Sequence, residues 1–95
     1  SLGCVGLVDE AGILTGVITD GDLRRHMSCD LLNKKALDIM TRAPKTIRPH
    51  MLVAEAVGFL NKNNITNVFV TRLEGTQEFP VGVLHVHSCL RAGFL

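Results

Sequence analysis

Tryptophan and tyrosine are absent from this 95-residue chain, and only four phenylalanines are present. Any core must therefore be aliphatic, and the 46% hydrophobic content supplies enough Val, Ile and Leu for one. The same scarcity removes the aromatic platforms on which RNA-binding sheets stack bases. An excess of charge is also missing: the net charge is +1, so composition offers no argument for nucleic acid or an anionic membrane as partner. No apolar run approaches the roughly 20 residues of a membrane span, and the N-terminus lacks a signal-peptide layout. Cys4, Cys29 and Cys89 are odd in number and widely spaced, with no Cys-x-x-Cys pair for metal or redox work. They read as buried or incidental thiols of a reducing compartment, and a cytoplasmic location is expected. The length bounds the chain to one compact unit.

What is present is organised around Gly16-Val17-Ile18-Thr19-Asp20-Gly21-Asp22-Leu23-Arg24-Arg25. It reads as a buried strand turning sharply into a helix. Thr19 and Asp22 have the spacing of a capping box, in which the hydroxyl accepts from an open amide and the carboxylate reaches back. Arg24 and Arg25 follow at once, with planar forks suited to phosphate or carboxylate. Taken alone, this is helix capping beside a solvated basic turn.

The segment occurs twice. In Gly82-Val83-Leu84-His85-Val86-His87-Ser88-Cys89-Leu90-Arg91, Gly82 matches Gly16, Val83 matches Val17, Leu84 matches Ile18 and Arg91 matches Arg25, 66 positions on. The preceding stretch, residues 2–8, aligns with residues 65–71, three residues closer, the difference being absorbed in the intervening turn. A self-match of strand, turn, strand and helix start marks a tandem repeat.

Taken in order, a strand is expected to residue 8, a turn at Asp9-Glu10-Ala11-Gly12, a strand over 13–18 and a helix over 20–27. Ser28-Cys29-Asp30 breaks the pattern, a short helix spans 34–40 and Thr41 to Pro44 ends it. Residues 44–49 are extended because each proline pushes its predecessor out of the helical region. Helix 52–63 carries Val53, Ala56, Val57 and Leu60 as one apolar stripe, and Asn61 to Asn64 tolerate a left-handed end. A hairpin of strands 68–72 and 80–84 follows, with Leu73 to Phe79 as a long turn, then a short helix from near His87. Glu74 and Glu78 fall in that turn and read as solvated, like Asp9 and Glu10 in the first. By internal comparison the first repeat lacks about 25 residues ahead of Ser1, so the chain is expected to start inside a repeat.

A repeated β-α-β-β-α unit with a Gly-Val-Ile-Thr-x-x-Asp strand end resembles a CBS domain pair, or Bateman module. Thr19 to Arg25, Asp38-Ile39-Met40-Thr41, Thr46-Ile47-Arg48-Pro49, Glu55-Ala56, Gly82 to His87 and Leu90-Arg91-Ala92-Gly93 together resemble the C-terminal half of the arabinose 5-phosphate isomerases of Kdo and lipopolysaccharide synthesis. The resemblance implies an α/β (α+β) fold of tandem CBS repeats, the first truncated at its N-terminus, over residues 1–40 and 41–95. It implies a regulatory module without the catalytic sugar isomerase domain, needing no cofactor and binding a nucleotide or a nucleotide sugar such as CMP-Kdo in the cleft between repeats. It further implies a homodimer through CBS pairs, and a tetramer in the parent enzyme.

Carried over residue by residue, Thr19 meets phosphate and Asp22 the ribose hydroxyls, with Arg24 and Arg25 as anion contacts and Thr46 and Ile47 at the start of the second repeat. In the second repeat the equivalents are His85, His87, Ser88 and Arg91, where Ser88 stands at a position usually held by Asp and is the weaker acceptor. His85 and His87, two apart, have three open readings: ligand contacts, structural hydrogen bonds, or a metal pair lacking an evident third ligand. No metal site is expected, and no nucleophile, base and orienting group can be assembled for catalysis. The competing function is a ligand-independent oligomerisation module of the same enzyme.

Overall fold

Hairpin register fixes the architecture. The computed structural model describes residues 4–27 and 31–85. The break at Ser28-Cys29-Asp30 and the helix expected near His87 lie outside the described residues. The chain divides between Pro44 and Lys45 into two compact units.

The first unit holds β1 (Cys4–Val8), β2 (Leu14–Thr19), helix α1 (Asp20–Arg25), a 3-10 turn at Leu31–Asn33, helix α2 (Ala36–Ile39) and β3 (Thr41–Arg42), in sheet order β1-β2-β3. The tight turn between β1 and β2 follows from Asp9, whose Oδ1 accepts from the N–H groups of Ala11 at 2.9 Å and Ile13 at 3.0 Å. Gly12 supplies the positive φ of 87° that the return needs. Strand β3 lies antiparallel on the far side of β2, with Arg42 opposite Gly16 and Thr41 opposite Val17. Residues 41–44 were expected only to end a helix. Two residues carry no period to reveal a strand, and here they add a third strand to the first sheet.

The second unit holds β4 (Thr46–Ile47), helix α3 (Val53–Lys62), β5 (Asn67–Glu74) and β6 (Gln77–His85), in sheet order β4-β5-β6 with β4 parallel to β5. Helix α3 ends in a Schellman motif. Asn64 takes φ 54°, its N–H donates to Asn61 at 3.2 Å, and the Ile65 N–H donates to Leu60 at 3.0 Å. Leu60, fully buried, forms the core of this unit with Ile47, Ala56 and Val68, and Ile65 packs against them. Burying a leucine of this kind contributes about 1.5–3 kcal/mol. The expected stripe is covered within the chain at Ala56, Val57 and Leu60, whereas Val53 is 40% exposed at the helix start.

The second hairpin is longer than expected, because only Gly75 and Thr76 turn. Gly75, at φ 64°, stands first of the two, the position glycine takes in a type II′ turn. Residues 72–79 continue the ladder, with Arg72 lying over the Phe79 ring, 4.8 Å from its centre.

The two hairpins are superposable in register. Val5 faces Ile18 and Leu7 faces Gly16; Val68 faces Leu84 and Val70 faces Gly82. Each ladder then slips at the same repeat position, between Leu7 and Val8 and between Val70 and Thr71, so that Val8 meets Leu14 and Thr71 meets Pro80. A bulge shared at one position confirms the tandem repeat in geometry. The repeated glycines differ in surroundings. A Cβ at Gly16 would lie 2.5 Å from Met40 Sδ and 2.9 Å from the Thr41 carbonyl oxygen, while one at Gly82 meets nothing closer than Val70 Cβ at 4.0 Å. Gly16→Ala is therefore expected to cost about 1–3 kcal/mol. Gly82→Ala is expected to be neutral or stabilising by up to about 1 kcal/mol. Urea titration of the two variants measures the difference, and equal losses would contradict it.

Candidate functional site

The turn from β2 into α1 forms because Thr19 ends the strand in an extended conformation and caps the helix. Its Oγ1 accepts from the Asp22 N–H at 3.2 Å, and Asp22 Oδ2 accepts from the Thr19 N–H at 2.9 Å. The expected capping box is present. The Thr19 hydroxyl also lies 3.2 Å from Asp22 Oδ2. Asp22 Oδ1 accepts from the Thr41 hydroxyl of β3 at 2.8 Å and from Arg25, its ion-pair partner three residues on. Asp22 is 2% exposed. Burial pushes its carboxyl up, but the Thr19 N–H, the Thr41 and Thr19 hydroxyls and the Arg25 charge outweigh this and hold it below its ordinary value. It is a buried carboxylate kept ionised. Thr41 was not foreseen: it stands 19 residues from Asp22, and no local spacing links them. Arg24 is exposed and has no ion pair among the described residues.

In the second unit, Thr46 and Ile47 take different roles. The Ile47 side chain belongs to the apolar core. The Thr46 hydroxyl donates to Glu78 and accepts from Arg48 Nη1 at 2.8 Å. Arg48 Nη1 also donates to the Thr71 hydroxyl at 2.8 Å and lies 3.2 Å from Glu78 Oε1, to which Thr71 donates at 2.9 Å. Glu78 is thus no solvated turn residue, as expected above, but the acceptor of a second closed network. The longer hairpin places it in a strand opposite Leu73, next to the fully buried Thr71. Burial pushes its carboxyl up, and the Thr46 and Thr71 hydrogen bonds with the Arg48 charge bring it below its ordinary value.

His85 closes β6 opposite Asn67, the position that Thr19 holds opposite Cys4 in the first hairpin. His87, Ser88 and Arg91 lie outside the described residues. Among the described residues no group of three His, Cys, Asp or Glu side chains could hold a metal ion, and no helix is long and apolar enough to cross a membrane.

Residues 36–94 match the family described as CBS domain. The arabinose 5-phosphate isomerase KdsD of Yersinia pestis is 39% identical over 95 residues, covering 98% of this chain and 28% of that protein. KdsD of Escherichia coli (strain K12) is 37% identical, again over 98% of this chain and 28% of the relative. The chain thus spans little more than a quarter of these relatives. Among solved structures, the CBS domain pair of protein MJ0100, in complex with 5′-methylthioadenosine and S-adenosyl-L-methionine, shares 27% identity at a TM-score of 0.78 and covers 98% of this chain and 73% of that one. CBSX2 in complex with AMP, 21% identical at a TM-score of 0.76, covers 97% of this chain and 73% of that one and shares the fold.

Both carboxylates have lowered folded-state pKa values, so each stabilises the fold while ionised and loses that contribution as pH falls through the folded value. Thermal melts are expected to be insensitive to Glu78 above its ordinary 4.5 and to Asp22 above its ordinary 3.8, then to drop on further acidification. Glu78→Gln should lower stability at pH 7 by about 1.5–3 kcal/mol and flatten the acid limb. A variant that melts with the wild type at pH 7 would show the network to be inert.

Proposed function

Since the chain belongs to the CBS domain family, we propose that it is the regulatory module of an arabinose 5-phosphate isomerase and binds a nucleotide or nucleotide sugar at the β2–α1 turn. The observation that carries this reading is the Thr19–Asp22 pair, an ionised and buried carboxylate flanked by a hydroxyl and by Arg25. A ribose diol offers two donors to a carboxylate, and a phosphate fits the guanidinium fork. Two observations support it: relatives 37–39% identical are arabinose 5-phosphate isomerases, and the 27% identical MJ0100 pair holds two adenosine derivatives. CMP-Kdo is the specific effector proposed, because an end product acting on an early isomerase closes a feedback loop. Chemistry belongs to the rest of the parent enzyme, and the module itself supplies no catalytic residue. The parent is assigned to the cytoplasm, as a tetramer assembled from homodimers through its CBS pairs.

A thermal-shift screen with AMP, ATP, CMP and CMP-Kdo is expected to raise the melting temperature of the chain in a saturable way with at least one of them. Asp22→Asn should then weaken binding about 10- to 150-fold, the loss of a charge-assisted bond of about 1.5–3 kcal/mol. An unchanged affinity with a lowered melting point would leave Asp22 as a helix cap alone. Sedimentation is expected to show a dimer at micromolar concentration. A stable dimer that ignores every ligand would make the module an assembly element, and a monomer would remove the dimer.

A further inference from the structure

A carboxylate has about four lone-pair sites, and in Asp22 all are in use. Oδ2 takes the Thr19 N–H at 2.9 Å and the Thr19 hydroxyl at 3.2 Å, while Oδ1 takes the Thr41 hydroxyl at 2.8 Å and Arg25. A ligand hydroxyl therefore reaches Asp22 only by displacing a donor already there. The Thr19 N–H is part of the backbone that starts α1, the Thr19 hydroxyl is held in the cap by the Asp22 N–H at 3.2 Å, and the Thr41 hydroxyl belongs to a strand hydrogen-bonded to β2. Arg25 differs from these three. Its side chain is 64% exposed, while that of the Asp22 it covers is 3% exposed. It folds back along the helix, with Nη1 only 3.4 Å from where a Cβ at Gly21 would sit. Water rehydrates a departing exposed guanidinium at little cost, and exposed ion pairs are weak.

We infer that Arg25 sets the class of ligand: it closes Asp22 until an anionic group on the ligand takes over its guanidinium. The inference rests on the nucleotide reading above and deepens it. A phosphorylated nucleoside supplies both halves of the exchange, its diol replacing Arg25 on Asp22 and its phosphate re-pairing Arg25 through a bidentate fork. An unphosphorylated nucleoside supplies only the diol, and the displaced cation exchanges its carboxylate for water with no bidentate gain to offset the loss. Arg25 thus acts on the diol contact through Asp22, as a positioning residue, as well as on the phosphate directly.

The test is calorimetry on the full chain with two matched pairs, AMP with adenosine and CMP with cytidine. The wild type is expected to bind the nucleotide of at least one pair tenfold or more tightly than its nucleoside. Arg25→Gln should tighten the nucleoside threefold or more and weaken the nucleotide, closing the gap from both sides. Arg25→Lys, which keeps a cation over Asp22, should restore the wild-type ranking. Melting temperature checks that each variant is folded. A nucleoside affinity that stays constant or falls in Arg25→Gln while the nucleotide weakens makes Arg25 a plain phosphate contact and overturns the exchange. Affinities unchanged for both overturn it too, and either result leaves nucleotide binding standing. Absence of binding by the wild type and both variants, with all four compounds, removes the nucleotide reading and the exchange together.

Discussion

A carboxylate withdrawn from water has to be met by donors, and in this chain donors arrive on the two shortest strands. Asp22 draws the Thr41 hydroxyl from β3, and Glu78 draws the Thr46 hydroxyl from β4. Both strands are two residues long. Each is paired to its neighbour at only two positions, and the side-chain bonds reinforce that pairing. The two threonines stand five positions apart, each bound to the carboxylate of its own unit. The stretch between the units is therefore anchored on both sides by the same device, an ionised acid satisfied by threonine and arginine.

That device also explains the chemical character of the β2–α1 turn. Capping, ion pairing and strand anchoring converge on one side chain, so the residue best suited to hold a sugar diol is also the one that organises its surroundings. Loss of Asp22 in a functional experiment will always carry a structural component. Arg25 is separable, since it contributes to the ionised state of Asp22 from the solvent side without carrying the backbone.

Local rules made much of this legible in the sequence. The capping box at Thr19 and Asp22, the Asp9 to Gly12 turn and the left-handed end at Asn64 each depend on residues within a few positions of one another. The repeat itself was visible as an offset, and the matched bulges show that the offset corresponds to hydrogen-bond partners. What escaped the sequence is non-local or aperiodic. Strand β3 is too short to display alternation, and the Thr41–Asp22 bond spans 19 residues. The outer half of the second hairpin is rich in charge and reads as loop, yet Arg72 over Phe79 and Arg72 beside Glu74 give its polar residues cross-strand and near-neighbour partners. Glu78 was misjudged as solvated for the same reason. Once residues 72–79 are strand, its carboxylate sits against Thr71 instead of in water.

The dependence of β4 on Glu78 gives the second unit an internal seam. Hairpin β5–β6 is long and has eight residue pairs besides the Thr71–Glu78 bond, whereas β4 is held by two residue pairs and a hydroxyl bound to the same carboxylate. Protonating that carboxylate loosens β4 while the hairpin beside it keeps its own bonds. Any such opening is sub-global, and the Ile47 side chain in the apolar core opposes it. Amide exchange at Ile47 would then gain on exchange at Val68 as the solution is acidified, so within the second unit a single glutamate sets which strand loosens first.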